Sequence, residues 1–214
     1  MTHPENNSDL KIHTEPEYFH KAYGSDIEQL KKVKDVFNKT IEHNNSVLFT
    51  QVKLFFPEFQ EFPEDNKVLE AFLKKLAERL SKQRQYFTIF WVRFNDFYRS
   101  HQSYGLILLS DSYFANRASG LQSLCRHFWL DTLKLDQQTK NLFDYCITKP
   151  HSNNFILNLD DLYFDMHFYQ AMDVTAQMII LPNETREGIE PYGFCSNCVD
   201  ISKLKENEKE QPHK

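Results

Sequence analysis

Residues 86–109, YFTIFWVRFNDFYRSHQSYGLILL, contain two β-prone runs separated by a polar stretch. The runs, Tyr86–Phe94 and Ser103–Leu109, are rich in aromatic and branched aliphatic side chains, which favour the pleated surface of a strand. The polar residues between the runs favour a hairpin-like connection. This stretch therefore predicts two neighbouring antiparallel strands.

Segments on both sides of this hairpin extend the pattern. Ser46–Phe56 predicts a strand, and the segment from Pro63 to Arg84 carries apolar residues at helical spacing. Downstream, Phe114–Leu130 predicts a helix and Asn154–Leu157 a short strand. The resulting βαββαβ order predicts an α/β chain of the α+β type, with a mainly antiparallel sheet and helices packed on one face of it.

Additional elements are predicted before and after this core. Ser25 is positioned as the N-cap of an amphipathic helix that runs to about His43. Near the other end, Asp161–Asp173 predicts a helix and Val174–Leu181 a final strand. Together the patterns predict three parts, namely a flexible N-terminal arm (residues 1–24), a single α+β domain (residues 25–200) and a disordered charged tail (residues 201–214).

The composition limits the class of protein. The chain has 214 residues, of which 41% are hydrophobic and 14% aromatic, which suits one well-buried domain. No apolar run approaches the ~20 residues that span a bilayer, and the polar segment Met1–Leu10 does not resemble a signal peptide. These features predict a cytoplasmic protein without a membrane partner, whose cysteines are thiols.

The basic residues are concentrated on the helix before the hairpin. The net charge of −5 disfavours nucleic-acid binding by the chain as a whole, so any such binding needs a local patch. One interpretation is a solvated helix face, because Glu70 and Glu78 are interspersed; the other is a ridge that follows phosphates. The aromatic residues Phe87, Phe90 and Trp91 either fill the core or stack on bases. The candidate nucleic-acid-binding residues are Lys67, Lys74, Lys75, Arg79, Lys82 and Arg84.

A Cys-x-x-Cys spacing occurs near the C-terminus. Cys195 and Cys198 form half of a zinc knuckle if they converge in a turn, and otherwise they are a thiol pair without metal. The other half of a zinc site would have to come from distant residues, whose spacing matches no familiar zinc module. These candidates are Cys125, His127, Cys146 and His151.

Four segments resemble, in order, the motifs of a known protein family, but other residue types stand at the family's polar positions. In the first strand, VLFTQVKLFFP at residues 47–57, Gln51 and Lys53 stand where that family has Arg and Asp. The next strand, WVRF, ends in Phe94 where the family has Glu. The third strand, SYGLILL, begins with Ser103-Tyr104-Gly105 instead of His-Tyr-His. The last helix, YQAMD, keeps Tyr169 but has Met172 in place of Lys.

In order and spacing, these segments resemble the inovirus-type replication proteins (the YagK/YfjJ family), which are related to HUH rolling-circle initiators. The resemblance covers roughly residues 45–195 and implies an HUH/RRM-like fold. It also implies a Tyr nucleophile and a divalent metal that polarises the scissile phosphate. Two His at i and i+2 of a strand point to one face and can share a metal. Ser103, Gly105 and Phe94 supply neither imidazole nor carboxylate, so the resemblance implies a degenerate active site.

Three functions remain open on this basis. The first is a non-catalytic, replication-initiator-like protein of phage or mobile-element origin, which binds single-stranded or hairpin DNA or a protein of replication or defence. The second is an active metal-dependent nicking enzyme with Tyr169 as nucleophile and a metal site rebuilt from His101, Asp111 and His167. The third is a protein-interaction module without nucleic-acid binding. No cofactor is expected beyond the possible zinc at Cys195 and Cys198 and, for the enzyme, a divalent metal.

Overall fold

A computed structural model describes residues 14–57, 65–83, 86–96, 101–112, 118–135, 146–148, 154–179 and 190–198. The helices are α1 (Pro16–Tyr23), α2 (Ile27–Asn44), α3 (Lys67–Lys82), α4 (Ala118–Thr132) and α5 (Phe164–Met178). The strands are β1 (Ser46–Phe55), β2 (Phe87–Asp96), β3 (His101–Asp111), β4 (Cys146–Thr148), β5 (Asn154–Asn158) and β6 (Tyr192–Ser196).

The strands within these ranges form one sheet in which every pairing is antiparallel. The central order is β1-β3-β2, and β6 pairs with the outer side of β2. On the other side, β5 pairs with Ser46–Thr50 of β1, whereas β4 pairs with Val52–Leu54. The sheet confirms the prediction of an α+β chain with a mainly antiparallel sheet.

Two interleaved crossover units build the centre of this sheet. Strands β1 and β2 both run antiparallel to β3 between them, so they are parallel to each other, and α3 connects them. In the same way β3 and β4 flank β1, and α4 connects them. This is the split βαβ arrangement that the βαββαβ order predicts.

Helices cover both faces of the sheet. On one face, called the α3/α4 face, Phe72 and Trp129 pack onto even-numbered residues of β1 such as Val52. On the opposite face, called the α5 face, α2 and α5 pack onto odd-numbered residues of β1, and Phe37 meets Phe49 there. The helix α1 packs against α2 and α5. The predicted packing on a single face is therefore wrong. Consecutive apolar residues in a strand point to both faces, and both faces must then be covered.

The predicted strand at Val174–Leu181 is also wrong, because α5 continues to Met178. Ala171, Met172 and Thr175 are buried at helical spacing on the side that meets the sheet. The Thr175 hydroxyl donates to the Ala171 carbonyl oxygen at 2.7 Å, a bond that fits a helical threonine. Burial of this apolar face outweighs the strand preference of Val and Thr.

The N-terminal arm does not extend to residue 24 as predicted. Residues Pro16–Tyr23 form α1, and the Phe19 side chain is fully buried in the α5-face core. Ser25 is not the N-cap of α2: its hydroxyl donates to the Ala176 carbonyl oxygen, and Asp26 caps the helix by accepting from Gln29 N. The folded part therefore begins before residue 25. Residues 1–13 and the predicted tail at 201–214 lie outside the described residues.

Strand β6 was not predicted as a strand. It runs from Tyr192 to Ser196, and its register places Cys195 opposite Ile89 of β2. Just past its end, the Asn197 side-chain oxygen accepts from Phe87 N at 2.8 Å, which continues the pairing along β2. Among the helices of the described ranges, none is long and apolar enough to cross a membrane.

Candidate functional site

The sheet residues on which the resemblance to replication initiators rests lie together on the α5 face. Lys53 lies opposite Gly105, and Ser103 lies between Phe55 and Phe94 in the register of β1, β3 and β2. Strand alternation places Gln51 on the same face as Lys53. The structure therefore brings together the sheet positions that the sequence identified as a degenerate site.

Apolar side chains fill the centre of this site. A Cβ atom built on Gly105 would lie 2.7 Å from Met178 Cε and 2.7 Å from Phe94 Cε2. Met178 also touches Gln51, whose Nε2 donates to the thioether sulfur at 3.5 Å. An imidazole at position 105 would therefore overlap a thioether and an aromatic ring.

The residues of this site do not fit a divalent metal. The polar groups that they offer are the Gln51 amide, the Lys53 amine and the Ser103 hydroxyl, with no carboxylate or imidazole among them. Hard divalent cations prefer carboxylates, and transition metals prefer imidazole or thiolate. A lysine amine adds a positive charge that opposes cation binding.

The alternative metal ligands are not brought together either. His101 begins β3 and Asp111 ends it, so they lie at opposite ends of one long strand. His167 is on α5, where its ring stacks on Phe155 and its Nδ1 lies 4.0 Å from Asp161 Oδ2. Among the residues that the structure describes, no three His, Cys, Asp or Glu side chains are placed to hold a metal ion.

Tyr169 lies at the contact between α5 and α1. Its ring centroid is 5.7 Å from that of Phe19 and 6.4 Å from that of Tyr18. Tyr169 lies nine positions before Met178, which is about 13 Å along the helix axis, so the hydroxyl is not beside Gly105. Burial, followed by a hydrogen bond with Tyr18, raises the pKa of Tyr169 to about 12. At neutral pH the phenol is protonated and packs between two helices.

Cys195 and Cys198 do not converge. Cys195 packs against the α3/α4-face core, and burial raises the pKa of its thiol. Cys198 Sγ lies 3.6 Å from the hydroxyl of Thr88, which contacts Thr40 of α2 on the α5 face. These contacts place the two sulfurs on opposite faces of the sheet, so the structure does not bring them together as half of a zinc site.

The other proposed zinc ligands are distributed as follows. Cys125 and Cys146 are buried in the α3/α4-face core, and burial raises both pKa values, that of Cys146 to about 12. Protonated thiols in an apolar core are poor metal ligands. His127 is exposed on α4, and His151 lies outside the described residues.

The basic residues of α3 form a mixed, solvent-facing surface. Lys67 Nζ lies 2.6 Å from Asp65, and Lys75 Nζ lies 2.6 Å from Asp131 of α4, which lowers the pKa of that carboxyl. The remaining described candidates, Lys74, Arg79 and Lys82, are exposed. Arg84 lies outside the described residues. Two of the predicted phosphate-binding side chains therefore already have carboxylate partners.

The strand aromatics are in the core. Phe87, Phe90 and Trp91 are 2%, 0% and 8% exposed, and they point alternately to the two covered faces. Base stacking needs an open aromatic face, which none of these side chains provides. Of the two interpretations of these residues, core packing is the one that the structure supports.

One candidate surface was missed from the sequence. Four apolar side chains between β5 and the first turn of α5 are exposed, namely Leu159 at 42%, Leu162 at 79%, Tyr163 at 58% and Met166 at 40%. We call these residues the β5–α5 patch. The signal in the sequence was an excess of apolar residues over what one helix face can bury, in the stretch LDDLYFDM at residues 159–166.

Comparison of the chain with models of known protein families, with curated proteins and with solved structures found no match.

Proposed function

We propose that this chain is a binding protein on an initiator-like fold and that it does not cleave DNA. The observation that carries the proposal is the filled space at Gly105. Met178 and Phe94 occupy the volume that a metal-binding histidine would need. The proposed ancestry is that of a phage or mobile-element initiator whose scaffold is retained while its chemistry is lost.

The nucleophile position supports the same proposal. A tyrosine that attacks a phosphorus atom must reach the phosphate that the metal polarises. Tyr169 instead packs against Phe19 and Tyr18, about two and a half helical turns from Met178. Its raised pKa disfavours the phenolate that would attack. Among the described residues, neither the metal ligands nor the tyrosine nucleophile that strand cleavage needs is in place.

Several features favour a protein as the partner. Helices cover both faces of the sheet, and the stacking candidates Phe87, Phe90 and Trp91 are buried, so they offer no open surface to bases. The net charge is −5, which opposes a phosphate backbone. An exposed apolar patch beside an edge strand is instead typical of a protein-binding surface.

DNA binding through α3 is the second candidate function. Lys74, Arg79 and Lys82 are exposed, and within the described part of the chain none of them forms an ion pair. Free cations on one helix are able to contact successive phosphates. Glu70 and Glu78 on the same helix weaken this surface, which is why it ranks second.

Fluorescence anisotropy with labelled single-stranded and hairpin DNA separates these functions. We expect no saturable binding at physiological salt, with or without Mn²⁺. Binding that weakens steeply with salt would favour the second candidate. The salt dependence is the slope of the logarithm of the affinity against the logarithm of the salt concentration. The triple variant Lys74→Ala, Arg79→Ala, Lys82→Ala would then make this slope shallower by about one for each of these side chains that binds a phosphate in the parent. The matched control is Lys31→Ala, Lys34→Ala, Lys39→Ala on α2, which removes the same charge elsewhere.

A further inference from the structure

Strand β5 has one side without a strand partner. Its five residues pair with β1, and among the described residues no strand pairs with its other side. An unpaired edge presents backbone N–H and C=O groups that a further strand can bind. The Ile156 side chain of this strand is 37% exposed on the α3/α4 face. Within the described part of the chain, this edge is therefore open to a further strand.

The β5–α5 patch lies directly beyond the end of this strand. Leu159 N donates to the Asn45 carbonyl oxygen, and Tyr163 N donates to Asp161 Oδ1, so both bonds hold the turn that carries the patch. Leu162 and Tyr163 project most, at 79% and 58% exposure. Large exposed apolar side chains on an ordered turn are the anchors that protein interfaces use.

The charge of this region is entirely negative. Residues 154–179 contain four Asp and neither Lys nor Arg. Asp160 and Asp161 are in the turn and Asp165 is in the first turn of α5. These carboxylates repel phosphates, so they oppose nucleic acids and anionic lipids. A second copy paired edge to edge about a two-fold axis would bring like charges together, which opposes self-association.

We propose that β5 and the β5–α5 patch bind an extended segment of a partner protein that carries both apolar and basic side chains. The segment adds to β5 as a further strand, so backbone hydrogen bonds supply affinity. Its apolar side chains cover Leu162 and Tyr163, and its Lys or Arg side chains pair with the aspartates. This inference rests on the proposed function, because it specifies the partner of a protein-binding module.

The test uses the full chain and a short synthetic peptide of alternating Leu and Lys, with a Leu–Glu peptide of the same length as the control probe. We expect the Lys peptide to bind and to shift the backbone amide resonances of residues 154–166 in an isotope-labelled sample. The double variant Leu162→Ser, Tyr163→Ser should weaken binding about tenfold or more. The matched control is Tyr86→Ser, which removes an aromatic ring of similar exposure, 46%, outside the patch.

Four results would overturn the inference. One is equal binding of the Lys and Glu peptides, and another is equal affinity of the double variant and the parent. The third is a concentration-dependent dimer that the double variant abolishes, since a second copy would then occupy the surface. Resonance shifts confined to another surface would overturn this docking site but leave a protein-binding function intact, whereas DNA cleavage would overturn the function itself.

Discussion

Replacement of Gly105 by His is expected to lower the free energy of unfolding by about 3 kcal/mol, at the upper end of typical overpacking costs. The substitution introduces the residue that the initiator motif, which this strand resembles, has at the corresponding position. Even a Cβ would lie 2.7 Å from Met178 Cε and from Phe94 Cε2, and an imidazole extends further into both. Gly105→Ala should cost about 1 kcal/mol, because the end of the Met178 side chain can move.

Urea denaturation at equilibrium measures these changes. Ser103→His is the matched control: it restores the other histidine of the motif on the same face, at a half-buried position, and should be tolerated better. A double-mutant cycle with Met178→Ala should show coupling, since the smaller side chain makes room for the imidazole. Equal stability of Gly105→His and the parent would mean that the space is not filled.

Replacement of Asn66 by Ala is expected to lower the free energy of unfolding by about 3 kcal/mol, because a buried charge loses a hydrogen-bond acceptor. Asn66 Oδ1 accepts from Arg93 Nη1 at 3.0 Å and from the Tyr104 hydroxyl at 3.1 Å. Asn66 Nδ2 donates to the Glu190 carbonyl oxygen at 2.9 Å. Arg93 is only 6% exposed, so water cannot fully replace the lost acceptor.

Tyr104→Phe provides the control within the same network. It removes a single hydrogen bond from a neutral donor and should cost about 1 kcal/mol. Burial raises the pKa of Tyr104 to about 12, so its hydroxyl remains a donor throughout the neutral range. If Asn66→Ala cost no more than Tyr104→Phe in urea denaturation, Asn66 would not be stabilising Arg93.

The centre of the fold was predictable from the sequence because its elements have clear periods. The aromatic and aliphatic runs at Tyr86–Phe94 and Ser103–Leu109 correspond to β2 and β3. The strand β2 is shifted by one to two residues, and β3 extends two residues further at each end than predicted. The covering of both faces was missed, because the apolar stripe of a predicted helix does not show on which face of the sheet it packs. The helix α1 was missed as well, because its residues were assigned to a flexible arm. Phe19 shows why: a single aromatic residue in a polar segment gives little periodic signal but is fully buried.

The sequence predicted which strand positions form the candidate site but not which side chains fill it. Strand register gathers Lys53, Ser103 and Gly105 where the motif order placed them. The filling by Met178 was missed because residues 174–181 were assigned to a strand, which would direct this side chain elsewhere. Likewise, the cysteine spacing suggested convergence, but Cys195 packs on the α3/α4 face whereas Cys198 contacts Thr88 on the other face. The excess of apolar residues at 159–166 signals that some of them are exposed, but which side chains form the β5–α5 patch depends on tertiary packing.

The most direct test of the claim that this chain does not cleave DNA is a nicking assay with purified protein. End-labelled single-stranded and hairpin DNA would be incubated with Mn²⁺ or Mg²⁺ and separated on denaturing gels. The predicted result is no shortened strand and no covalent protein–DNA species, for the parent and Tyr169→Phe alike. A metal-dependent covalent adduct that forms with the parent and is absent with Tyr169→Phe would contradict the account.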